Sequence, residues 1–193
     1  LYDSLSYEDL YLTSFDGLRL HARFYKKGDG RRVVLLSHGF RSSARRDFAA
    51  VFPLYYAALG CSLLVPDHRA HGESEGAYIT YGIHERFDIR DWARLLTERA
   101  GGDVQIVLDG ISMGATAVLM ACGTDLPETV TGVVADCGFT SPWDIFSHIL
   151  HGTFHLGNFP ILYSIERMAR RRAHFGFRET TTALAMQHWT KPA

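Results

Sequence analysis

The pattern of apolar and polar positions divides the chain into short, regularly spaced elements. Tyr7 to Thr13 and Leu18 to Tyr25 are strand-like runs on either side of Ser14-Phe15-Asp16-Gly17, and a D-G pair between two such runs is a hairpin signal. An antiparallel pair is therefore expected at the start. After the polar, Gly-rich Lys26 to Arg32 comes Val33-Val34-Leu35-Leu36, a continuous apolar run of the kind buried on both faces in a parallel sheet. From Ser43 to Leu59, Phe48, Val51, Phe52, Tyr55 and Leu59 recur at helical spacing, and Gly60 supplies a C-terminal stop.

The alternation then repeats three times. Strands are predicted at Ser62 to Val65, Val104 to Leu108 and Val130 to Ala135, with helices at Ile83 to Ala100, Met113 to Gly123 and from about Pro142. Strands alternating with helices imply right-handed crossovers and a mostly parallel, doubly wound α/β sheet. After residue 141 the rhythm fails: Trp143 to Phe177 is rich in aromatics and histidines and interrupted by Gly152, Gly157 and Pro160, so an irregular helical cap over about 142–178 is expected. Thr180 to Trp189 resembles a further helix, and Lys191-Pro192-Ala193 the lead-in to another strand.

With 193 residues the chain suits one domain, 1–193, with a single core. Hydrophobic residues make up 47%, charged residues 21%, and the net charge is -1, which argues against nucleic acid or an anionic membrane as partner. No apolar run approaches the roughly 20 residues that cross a bilayer. Cys61, Cys122 and Cys137 are widely spaced in apolar surroundings and odd in number, so buried free thiols are expected rather than disulfides. No signal peptide is read; the cytoplasm is the expected compartment, with a removed leader or anchor left open by the start at Leu1. Oligomeric state is not legible.

Chemistry concentrates at the ends of the predicted parallel strands. Gly110-Ile111-Ser112-Met113-Gly114 follows one strand and precedes a helix; two glycines around a serine permit the sharp turn that projects a nucleophilic hydroxyl above the sheet. The competing reading is a serine that caps the helix, for which neither glycine is needed. Ser37-His38-Gly39-Phe40 follows the first parallel strand, where such sheets place binding loops. Backbone N–H groups of Phe40 and Met113 are the expected oxyanion donors, against a plain strand-to-loop turn in which His38 satisfies nearby backbone groups. Asp67-His68-Arg69-Ala70-His71-Gly72-Glu73-Ser74 carries two histidines but no third ligand in a familiar zinc spacing, so a loop tied to its own backbone is favoured and no metal is expected.

S-H-G-F, D-H-R-A-H-G-E-S, G-I-S-M-G and A-D-C-G-F-T-S, each after its strand and in this order, resemble the α/β-hydrolase superfamily over nearly the whole chain. Within it the sequence is similar to small bacterial hydrolases of esterase-like, lysophospholipase-like or prolyl-oligopeptidase-like type. The resemblance implies Ser112 as nucleophile, Phe40 and Met113 as oxyanion donors, a cap after the fourth parallel strand, a small-molecule acyl substrate and no cofactor. It also implies chain order nucleophile, acid, histidine. The acid usually follows the next strand and the histidine the one beyond, so both are expected past Ala193, with two strands absent. Two strands, two helices and their loops amount to about 55 further residues.

Asp136 is an internal alternative for the acid, or else a structural aspartate capping the turn before Phe139. His148, His151 and His155 lie in the cap segment, but nothing in their spacing aims one at Ser112. Phe146, Ile149, Leu150, Phe154, Leu156, Phe159, Ile161, Leu162 and Tyr163 suit an apolar acyl group, or simply pack the cap on the sheet. Arg167 and Arg170 to Arg172 fit an anionic head group, or a solvated helix face. Two functions follow as expectations: a serine hydrolase of carboxylic esters, with thioesters, amides or peptides as neighbours, or a non-catalytic binding or scaffold protein on the same fold.

Overall fold

The structure is a computed structural model that describes residues 5–193. Its single sheet holds β1 (Glu8–Thr13), β2 (Arg19–Tyr25), β3 (Arg32–Ser37), β4 (Ser62–Pro66), β5 (Gln105–Ile111) and β6 (Val130–Asp136) in the order β1-β2-β4-β3-β5-β6. β1 pairs antiparallel with β2, and β2 with β4; β4, β3, β5 and β6 are parallel. The hairpin turns where D-G predicts it. Gly17, at φ +88°, donates to the Ser14 carbonyl at 3.0 Å, a conformation that costs glycine nothing.

Helices α2 (Glu85–Arg99) and α3 (Met113–Ala121) cover one face of the sheet, where Leu35, Leu64, Ile89, Trp92, Ile106, Leu108 and Val118 form the main core. On the other face, Phe48 from α1 (Ala44–Phe48) and Phe52 pack over Val34, Leu36, Leu63 and Val65. Each such large apolar side chain, fully removed from water, contributes about 1.5–3 kcal/mol. The continuous apolar runs in β3 and β4 reflect this covering on both sides.

The single helix expected from Ser43 to Leu59 is instead broken. α1 ends at Phe48, and Leu54–Ala58 forms one π-helical turn in which the Leu59 N–H reaches the Leu54 carbonyl at 2.9 Å. Pro53 is the reason, because it has no N–H and its ring collides with the carbonyl four residues earlier. α2 starts two residues later than expected: Gly82 turns the chain at φ +97°, and the Glu85 carboxylate collects Thr80 N–H at 2.8 Å, Thr80 Oγ1 at 2.5 Å and Gly82 N–H at 2.8 Å.

The segment after residue 141 is more regular than its sequence suggests. It folds as α4 (Pro142–Phe154) and α5 (Ile161–Arg172), with Ser141 capping α4 by accepting from Asp144 N–H at 3.1 Å. Its apolar residues do not all pack inward. Leu162 is buried against Ile83, Met120, Phe175 and Phe177, whereas Phe154 and Phe159 are 61% and 80% exposed. The helix expected from Thr180 to Trp189 is one short element, α6 (Thr182–Met186), capped by Thr181. Beyond it, the Pro192 carbonyl accepts from Val133 N–H at 3.0 Å and Lys191 Nζ reaches the Val130 carbonyl at 2.7 Å, which lays 191–192 along the outer edge of β6.

The three cysteines are free thiols, but none is fully buried as expected: Cys61 and Cys122 are partly exposed, and Cys137 is exposed because it lies just past the end of β6. Among the described residues no helix is long and apolar enough to cross a membrane.

Candidate active site

Ser112 is the single residue between β5 and α3, and its backbone sits at φ 54°, ψ -115°. Such a conformation costs a non-glycine residue on the order of 1–3 kcal/mol, and structures keep it where surrounding contacts over-determine it. Those contacts are visible. A Cβ on Gly110 would lie 2.4 Å from the Gly114 carbonyl oxygen, and one on Gly114 would lie 1.9 Å from that of Ser37. Only glycine fits either place. The Ser112 N–H donates to the Asp136 carbonyl at 2.8 Å, its carbonyl accepts from Thr116 N–H at 3.0 Å, and its side chain makes no capping bond to α3. The helix-cap reading of this serine is thereby set aside; its hydroxyl is left beside the positive end of the α3 dipole. Asp109, immediately before Gly110, accepts from the Tyr55 hydroxyl at 2.7 Å; burial pushes its carboxyl up, and the nearby Asp136 charge adds to that.

The loop after β3 lies against this turn. A Cβ on Gly39 would be 3.6 Å from the Ser112 Cβ and 3.5 Å from the Ile111 carbonyl oxygen. Gly39 N–H donates to Asp47 Oδ2 at 2.7 Å, and the Gly39 carbonyl accepts from His38 Nδ1 at 2.9 Å and from Ser42 N–H at 3.2 Å. Since a trans peptide is planar, fixing that carbonyl also fixes the opposite-pointing N–H of Phe40. Neither Phe40 N–H nor Met113 N–H donates to any described protein group, while both neighbours of Phe40 do. The Phe40 ring, 44% exposed, stacks on Tyr81 with centroids 5.2 Å apart, and Tyr81 meets Phe146 of α4 edge-on at 4.8 Å.

The histidines of the two upstream motifs form one cluster, with His38 4.6 Å from His68 and 4.8 Å from His71 between ring centroids. Their nitrogens are spent on structure. His38 Nε2 accepts from His68 N–H at 3.3 Å, His68 Nε2 is 2.9 Å from Ser37 Oγ, and His71 uses Nδ1 on the Arg69 carbonyl and Nε2 on Arg41 N–H. Burial lowers His38, and it lowers His68 well below the usual imidazole value, with the neighbouring rings adding to the effect. Burial thus favours the neutral form of His38 and His68. The reading of His38 as a partner for nearby backbone groups and of the D-H-R-A-H-G-E-S loop as self-tied describes these bonds.

Asp136 is exposed at the end of β6, and the turn after it is held not by its carboxylate but by Thr116 Oγ1, which accepts from Phe139 N–H at 2.9 Å. That corrects the capping alternative. His148 and His151 on α4 and His155 at its C-terminal end are exposed, and no described side chain is hydrogen-bonded to Ser112 Oγ. Asp47 and Tyr81 escaped the reading of the sequence. Asp47 is the only acid between Gly39 and Ala58, which is a faint signal; Tyr81 offered none.

The sequence profile of the alpha/beta hydrolase family matches residues 33–192. The Bacillus subtilis (strain 168) protein YqkD is 24% identical over 164 residues, 85% of this chain and 53% of that protein. The Arabidopsis thaliana alpha/beta hydrolase domain-containing protein WAV2 is 29% identical over 154 residues, 76% of this chain and 47% of that one. The chain thus spans about half the length of the curated relatives it matches. Among solved structures, the Pyrococcus furiosus esterase Pf2001 superposes with a TM-score of 0.65 at 27% identity, over 86% of this chain and 64% of the esterase. The profile match over most of the chain, on a mostly parallel sheet with a strained serine between β5 and α3, makes this protein a member of the alpha/beta hydrolase family.

Proposed function

We propose that Ser112 is the nucleophile of a serine hydrolase that cleaves carboxylic esters through an acyl-enzyme. The observation that carries the reading is the Ser112 backbone at φ 54°, ψ -115°, locked between Gly110 and Gly114 at the β5–α3 turn. In the reaction Ser112 Oγ attacks the ester carbonyl carbon while its proton passes to a histidine base. The carbonyl oxygen becomes an oxyanion received by the Phe40 and Met113 N–H groups, and one such donor typically contributes about 3–4 kcal/mol in the transition state. Collapse expels the alcohol, which takes the proton from the base; water then repeats the sequence and releases the carboxylic acid. No metal or cofactor enters this chemistry.

In this reading the base and its carboxylate partner lie outside residues 1–193. The histidines nearest the oxyanion loop are committed to the backbone through His38 Nδ1, His71 Nδ1 and His71 Nε2. Asp136 remains the internal alternative for the acid. The rings of Phe40, Tyr81 and Phe146 favour an apolar acyl group, and the esterase name of the Pyrococcus furiosus neighbour favours an ester bond. Thioesters, amides and peptides fit the same mechanism. Hydrolysis of p-nitrophenyl esters by the intact protein tests the reading: Ser112→Ala is expected to cost at least about 10⁴-fold in kcat. Unchanged turnover in that variant overturns it. Failure of the unaltered protein to hydrolyse any ester, thioester or amide offered favours instead a binding protein built on the same fold.

A further inference from the structure

The amides on either side of Phe40 are both held by side chains from other parts of the chain. Asp47, on α1, accepts from Gly39 N–H at 2.7 Å through Oδ2 and from Ser42 Oγ at 2.6 Å through Oδ1, so one carboxylate spans both ends of the 39–42 loop. His71, in the loop after β4, accepts from Arg41 N–H at 3.2 Å through Nε2, and its Nδ1 is anchored 3.0 Å from the Arg69 carbonyl. Of the three consecutive amides at 39, 40 and 41, only that of Phe40 is left without an acceptor among the described residues. Arg41, at φ 51°, holds a left-handed conformation that a loop free to relax would not keep.

We infer that Asp47 and His71 are positioning residues for the oxyanion site: they clamp the amides flanking Phe40 so that its N–H stays free and aimed at the point where charge develops on the substrate. The inference rests on the proposed role of Ser112. An oxyanion donor acts through placement, and a displacement of about 1 Å can cost 10²-fold in rate. The Asp47 carboxylate and the His71 ring touch the loop and not the substrate, so their removal acts on the transition state while ground-state binding is spared.

The test compares Asp47→Ala, Asp47→Asn, His71→Ala and Ser112→Ala in the intact protein, reading kcat and KM on a p-nitrophenyl ester and the melting temperature of each. For Asp47→Ala and His71→Ala the expected result is a loss of about 10- to 100-fold in kcat with KM within about twofold. Asp47→Asn keeps one oxygen able to accept from Gly39 N–H and is expected to recover most of the loss. Should Asp47→Ala not fold, the half-buried His71→Ala carries the comparison. Values of kcat within twofold of the parent in Asp47→Ala and His71→Ala, or in whichever of the two folds, overturn the positioning role, as does a loss expressed in KM and melting temperature alone. Ser112→Ala separates the two claims: if it keeps activity, the nucleophile assignment fails, whereas its inactivity beside unimpaired Asp47 and His71 variants removes only the clamp.

Discussion

Gly114 stands so close to Ser37 that a Cβ on it would lie 1.9 Å from the Ser37 carbonyl oxygen, and this contact joins the first turn of α3 to the end of β3. Ser37 strengthens the junction by donating its hydroxyl to the Gly114 carbonyl at 3.2 Å. The proposed nucleophile and the proposed oxyanion loop are thus set against each other by a backbone contact that no side chain can adjust.

Gly114→Ala is expected to be disruptive for that reason. Overpacking against backbone gives the new methyl nowhere to go, and a loss of about 3 kcal/mol or more is predicted from urea denaturation. Gly152→Ala, where nothing lies within 4 Å, serves as the control and is expected to be nearly neutral or slightly stabilising within its helix.

Ser112→Gly separates stability from chemistry at one position. Glycine adopts φ 54°, ψ -115° without the Cβ conflict, so the variant is predicted to gain about 1 kcal/mol in denaturation experiments while losing its nucleophile. An unchanged or lowered stability would show that the serine backbone stores no strain.

Much of this was legible in the residues, and the limits have physical causes. Period and punctuation carried the strands: D-G at 16–17 fixed the hairpin, and the apolar run at Val33 to Leu36 marked a strand covered on both faces. The sharp turn at Ser112 was legible because the close approaches at Gly110 and Gly114 exclude every other residue type, and composition records such exclusions. The break in the helix expected from Ser43 to Leu59 was hidden because the apolar spacing continues at helical period across Pro53, whose missing N–H interrupts the ladder. Asp47 left only a faint mark for a different reason: the Gly39 N–H and Ser42 hydroxyl that donate to it are brought there by the folded loop, and one acid in a polar stretch has no spacing to betray it. The exposed Phe154 and Phe159 were likewise beyond reach, since periodicity tells which residues are apolar and not what covers them.

Arg69 binds three elements together. It makes a two-pronged pair with Asp88 of α2, both bonds at 2.7 Å, and reaches Asp16 of the hairpin turn at 2.8 Å. Burial pushes the Asp88 carboxyl up to about 7, opposed by the Arg69 charge. Arg69→Ala leaves that carboxylate buried and unpaired, and a cost of about 3–5 kcal/mol is predicted. Adding Asp88→Leu to Arg69→Met is expected to recover part of the loss, a coupling read by a double-mutant cycle.

His21 makes stability depend on pH. Burial pulls its imidazole down, but Asp9 at 2.9 Å and Asp67 at 2.8 Å outweigh this and hold it above its ordinary value. A raised value in the fold means the contribution is complete below the unfolded value of about 6.5 and disappears as pH rises through the folded one. The stability difference between the parent and His21→Gln is therefore predicted to shrink from about pH 6 to pH 9, as followed by urea denaturation at each pH. A difference that holds constant would mean the ring is bound as the neutral form.

The central claim is that Ser112 is a nucleophile, and covalent labelling tests it most directly. The intact protein is treated with a fluorophosphonate and its mass measured, followed by peptide mapping. One phosphonyl adduct on the peptide carrying Ser112, absent from Ser112→Ala, is the predicted result. No adduct on the folded protein, or an adduct that survives Ser112→Ala, would contradict it.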